Sequence, residues 1–249
     1  MEQLNELMKQ VARLVELESL IPLVTEQQAV LKADLADLKY SRDWYDLEAK
    51  RLKNPNFFQK LLPGFADKQE KAQLEAREAA AAYEQAKREL ETAEYTLASH
   101  RQELEALTGC REEYHRVRQL FRATATEEEL ARLQEAEIDV FRPVAVACLK
   151  LIRKDLNRSH HWMPKHDGTR ARHGNHETRQ MEFWELADAH ARQLQSLLPY
   201  FPENSIQLGA SLTCPSQYIR SASMNYAQLD RLNIAVEQSH LVQKQIEQL

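Results

Sequence analysis

Between residues 25 and 53 apolar side chains recur at alternating steps of three and four: Leu31, Leu35, Leu38, Tyr45, Ala49 and Leu52, with Arg42 the one polar member of the row. That spacing predicts a heptad seam along a helix. Asn54 and Pro55 follow and should stop it, because a residue before proline is pushed out of the α region. Upstream, Leu4, Leu7, Val11 and Leu14 mark an earlier helix. Pro22, followed by Thr25 and Gln28 as a capping box, is expected to end or kink that helix.

A second seam is expected after Asp67, whose carboxylate would cap the helix while Glu70 reaches back. Its rows keep strict seven-residue spacing. One row is Ala76, Tyr83, Leu90, Leu97 and Leu104; the other is Ala79, Ala86, Ala93, His100 and Leu107. Small residues here are expected to receive the bulkier leucines, Trp44 and Tyr45 of the first helix. Only about a dozen residues join the two seams, which points to an antiparallel helical hairpin. Facing positions should sum to about 120, setting His100 near Pro22.

Thr126 and Glu129 predict a further helix start. Leu130, Leu133, Val140, Val144, Ala147 and Leu151 form its apolar face, and Pro143 should kink or divide it. Residues 159–177 read as a polar, His-rich loop. Helix resumes with Trp184, Ala187, Ala191, Leu194 and Leu198 until Pro199 and Pro202 end it. Residues 204–224 read as a Ser-rich connection, followed by a last helix carrying Leu229, Leu232, Val236 and Ile246, its seam interrupted by Ser239 and Gln243. The expected fold class is all-α. Residues 1–123 would form the coiled-coil hairpin, with its tip at 54–66, and residues 124–249 a helical bundle that residues 1–20 could complete.

Composition narrows the function classes. Five glycines in 249 residues is far below the usual ~7%, so Gly-rich phosphate loops and glycine-dependent sheets are poorly supplied. The net charge of −5 gives no global attraction for nucleic acid. Three scattered cysteines form no CxxC pair, the amino terminus carries acids where a signal peptide needs bases, and no run reaches the ~18 apolar residues of a membrane span. A cytoplasmic protein is expected.

Two segments concentrate unusual side chains. The tip carries Phe57, Phe58, Leu61, Leu62 and Phe65 among lysines, a group that could enter a partner's groove, touch a lipid interface, or fold back to cap the hairpin. The loop carries His160, His161, His166, His173 and His176. Imidazoles bind zinc or similar ions, but their spacing fits no zinc-finger or HExxH pattern, and a solvated loop is the competing reading. From residue 150 to 180, eight Lys or Arg stand against three Asp or Glu. That excess could meet phosphates or face the acidic helices of the same chain. No GxSxG, Walker or GxGxxG motif occurs, and Cys110 with His115 reads as an ordinary helix junction.

Residues 47–90 resemble a family of uncharacterised bacterial cytoplasmic coiled-coil proteins through Leu47, Glu48, Phe57, Phe58, Leu61, Leu62, Gly64, Glu70, Tyr83 and Ala86. Pro63 before Gly64 departs from that pattern. The resemblance implies a helical hairpin with an aromatic tip and carries no activity or cofactor. The expected function is a non-enzymatic scaffold or adaptor that binds a protein partner, with self-association open, nucleic acid disfavoured and no cofactor. Peripheral membrane contact through the tip and a metal-binding or metal-dependent hydrolase role for the His-rich loop are the alternatives.

Overall fold

The computed structural model describes residues 1–53, 64–161, 176–222 and 225–249. Helix α1 spans Glu2–Lys53, α2 Phe65–Ala106, α3 Cys110–Thr124, α4 Glu127–His161 and α5 His176–Leu197. A 3-10 turn, Leu198–Tyr200, precedes the short helices α6 (Ala210–Thr213) and α7 (Pro215–Arg220), and α8 (Asn225–Glu247) closes the chain. No strand occurs among the described residues. The fold is all-α, as the sequence predicts.

The helices divide into two compact units, residues 21–103 and residues 1–20 with 104–249. In the first, α1 and α2 run antiparallel. Gln28 donates to Glu94 at 3.2 Å, Lys32 pairs with the same carboxylate at 3.2 Å, and the Arg42 guanidinium lies 4.3 Å from the centre of the Tyr83 ring. As the α1 number rises, the α2 number falls. Facing positions sum to 122–126, a few residues beyond the expected 120, and Pro22 stays close to the level of His100.

Shielding follows the heptads. On α2 the buried residues are Ala72, Ala86, Ala93 and Leu97, all on the two seam rows or in line with them, and the other seam positions 76, 79, 83, 90 and 100 are half-buried. Leu52, buried on α1, falls opposite Ala72 in this register, a large residue against a small one. Trp44 departs from the expectation. It is 53% exposed with Tyr45 packed edge-on beside it, because position 45 continues the three-four row and 44 lies a step of about 100° around the helix.

Three predicted boundaries shift. Helix α1 passes through Pro22 without ending, and the Thr25 hydroxyl donates to the Ile21 carbonyl at 2.8 Å instead of capping a new helix. A proline inside a helix costs about 3 kcal/mol. Buried Val15 and Leu17 before it, and the heptad seam after it, hold the helix together. Helix α2 starts at Phe65, so Asp67 sits in its first turn and favours the positive end of the dipole without capping it. Helix α4 is undivided by Pro143.

In the second unit, Leu4, Met8, Val11 and Val15 enter one core with Leu133, Phe141, Leu149, Ile152 and Leu156 of α4. Helix α4 packs against α5 and α8, and the short helices α6 and α7 contact both α5 and α8. The Thr126–Glu129 capping box forms as read: the Thr126 amide donates to Glu129 Oε2 at 2.8 Å and the Glu129 amide to Thr126 Oγ1 at 3.3 Å. The division at residue 104 differs from the expected boundary at 123/124. Gly109, with φ at 86°, takes the left-handed conformation that ends the second arm at a turn, and α3 beyond it buries Tyr114 and Arg118 in this core. Residues 204–222 are more than a connection, since Leu212 of α6 and Ile219 of α7 are fully buried and Asp188 of α5 accepts the Ser216 amide at 2.8 Å.

Candidate interaction surface and buried polar clusters

Phe57, Phe58, Leu61 and Leu62 lie outside the described residues, and Phe65 is the half-buried first residue of α2. His166 and His173 also lie outside them; His161 and His176 mark helix ends whose side chains are not described. His160 is exposed on the last turn of α4. Among the described residues, no group of three His, Cys, Asp or Glu could hold a metal ion. Two described cations of the basic segment are engaged within the chain, while Lys150 and Lys154 are exposed. Arg153 donates to the Ser239 carbonyl and to Gln243 on α8, and Arg158 lies 4.7 Å over the Phe183 ring.

Two buried polar clusters have the residue types of chemistry. In the first, Arg118 of α3 holds Glu137 of α4 in a two-pronged ion pair, Nε to Oε1 at 2.5 Å and Nη2 to Oε2 at 2.9 Å. The same guanidinium donates to the Pro199 carbonyl at 3.1 Å, and Tyr114 donates its hydroxyl to Glu137. Glu137 is 1% exposed and Arg118 8%. Phe141 stacks on Tyr200 at 4.2 Å, and the Tyr200 hydroxyl meets His115 Nε2 at 3.2 Å. Every charge has a partner, so this cluster joins three elements and leaves no group poised to react.

In the second, Asp155 of α4 and His190 of α5 are both wholly buried, with His190 Nδ1 3.1 Å from Asp155 Oδ2. Ser19 of α1 completes a set that resembles a nucleophilic triad in composition. The geometry differs. His190 Nε2 faces the Ser19 backbone carbonyl at 3.4 Å, while the Ser19 hydroxyl engages the Val15 carbonyl and Gln193. A triad needs the base on the hydroxyl and a route for substrate; here the base misses the hydroxyl, and Ser19 is 4% exposed. Cys110 is equally unsuited to attack, because burial pushes its thiol above the ordinary value.

Burial also raises Cys148 to about 11 and Tyr200 to about 12, and it raises Tyr114 further with help from Glu137. Each group therefore holds its proton more tightly folded than unfolded. Their stabilisation is complete below the ordinary values of 9.0 and 10.0 and is lost as pH climbs toward the folded ones. Urea midpoints should be flat from neutral pH to about 9 and then fall, each group contributing up to about 1.4 kcal/mol per pH unit. A midpoint unchanged at pH 11 would contradict these environments.

Among the described residues, α1 carries a row of exposed large apolar side chains. Val30, Tyr40, Trp44 and Leu47 are 43%, 75%, 53% and 67% exposed, and with Ala33 and Asp37 they repeat at steps of three and four on the face of α1 opposite the α2 seam. This row was legible in sequence, but it was hidden beneath the stronger row one step away. A groove of about 460 Å³ between α1 and α2 has polar side chains such as Gln27, Gln85, Arg88 and Glu89 in its wall beside Val24 and Ala93. No family model matches the chain, and no curated protein or solved structure matches it.

Proposed function

We propose that the protein is a non-enzymatic cytoplasmic scaffold or adaptor that engages a protein partner through the coiled-coil hairpin. The observation that carries this reading is the outer row of α1, where Val30, Tyr40, Trp44 and Leu47, with Asp37 among them, face solvent at helical spacing on a helix already paired on its other side. Such a row matches the anchors of helix-to-helix recognition.

The variant Tyr40→Ser, Trp44→Ser, Leu47→Ser separates a binding role from a folding role. Side chains this exposed contribute little to the isolated fold, so helicity should be unchanged and stability should stay within about 1 kcal/mol. Co-purification of the partner recovered with the unaltered protein should be abolished. Recovery of the same partner in equal amount by the triple variant would refute the reading.

A further inference from the structure

The outer row of α1 is complementary to itself. We propose that it pairs with the same row of a second copy, antiparallel, with facing positions summing to 77; the inference rests on the reading above and names its partner. In that register Val30 meets the partner's Leu47, Ala33 meets the partner's Trp44, and Tyr40 meets the partner's Asp37. Two aliphatic residues pack together, the indole lies over the smallest side chain in the row, and the tyrosine hydroxyl donates to the one carboxylate. The two-fold axis repeats each match.

Other registers lose these matches. Shifted by one heptad to a sum of 84, Tyr40 meets the partner's Trp44, but Asp37 faces the partner's Leu47 and Ala33 faces the partner's Arg51, which leaves a carboxylate against an aliphatic chain. In the opposite shift, to 70, Glu26 faces the partner's Trp44. A parallel in-register pair sets Asp37 against the partner's Asp37, a like-charge contact that disfavours it. The flanks of the 77 register bring Ala36 beside the partner's Asp43 and Ala29 beside the partner's Lys50, with no like charges opposed. Eight large side chains, four from each copy and now 43–75% exposed, would leave water together.

Sedimentation equilibrium of the full chain across micromolar concentrations should show a monomer–dimer equilibrium. Trp44→Glu should weaken it by at least ~100-fold, and Leu47→Glu should act in the same direction, with the helical circular dichroism of both unchanged. For the register, chains carrying Cys214→Ser and either Ala36→Cys or Asp43→Cys are treated with a short thiol cross-linker. A 36-to-43 product on mixing, without a 36-to-36 product, supports the antiparallel pair. Monomer at every concentration, a dimer that survives Trp44→Glu, or cross-linking of position 36 to itself overturns it. A monomeric protein whose triple outer-face variant still loses a partner would remove the second copy and leave the scaffold reading standing.

Discussion

Replacing Glu137 by Leu should destabilise the protein by about 3–5 kcal/mol, the cost of stranding one member of a buried ion pair. Arg118 would keep the Pro199 carbonyl but lose both carboxylate bonds, and Tyr114 would lose its acceptor. The penalty arises from an uncompensated charge more than from the loss of a favourable bond, so removing the other polar ends should restore stability. The combination Tyr114→Phe, Arg118→Met, Glu137→Leu should lie within about 1–2 kcal/mol of the unaltered chain. Urea unfolding of the single and triple variants checks both statements. A single variant as stable as the original would mean that Glu137 is not buried against Arg118.

The second large effect is expected at His190. Its substitution by Ala removes the hydrogen-bond partner of a wholly buried carboxylate and opens a cavity between α4 and α5, so the loss should be about 3 kcal/mol or more. Asp155 Oδ1 already has no partner among the described side chains, which leaves the carboxylate dependent on the imidazole. Replacing both by leucine should cost less than the single change, because no unpaired polar atom remains. Thermal or urea melts that rank the double variant below His190→Ala would contradict the account of this pair.

The periodic part of the fold was legible because geometry sets the period. Heptad rows on α1 and α2 name the shielded positions, and short-range pairs such as Thr126 with Glu129 lie three residues apart in any helix. Pro22 misled because its local penalty is small beside the packing of the helix on either side of it. Glu137 and Arg118 gave no signal: each reads as a surface charge on an amphipathic helix, and only tertiary packing brings residues 19 apart together. Leu212 and Ile219 were hidden in a Ser-rich stretch whose composition resembles a linker. The outer row of α1 was present as Tyr40, Trp44 and Leu47, but a single heptad assignment claims one face of a helix, and the seam had claimed it. The candidate surface thus required exposure values, which sequence does not carry.

The central claim is that the outer face of α1 is where this protein meets its partner. Site-specific photo-cross-linking tests it most directly, with benzoylphenylalanine placed at Trp44 and, as a control, at exposed Glu84 on α2, in cells expressing the full chain. A discrete covalent adduct from position 44, to a second copy or to another protein, and none from position 84 is the expected result. Position 44 giving no adduct beyond that of position 84 would contradict the claim.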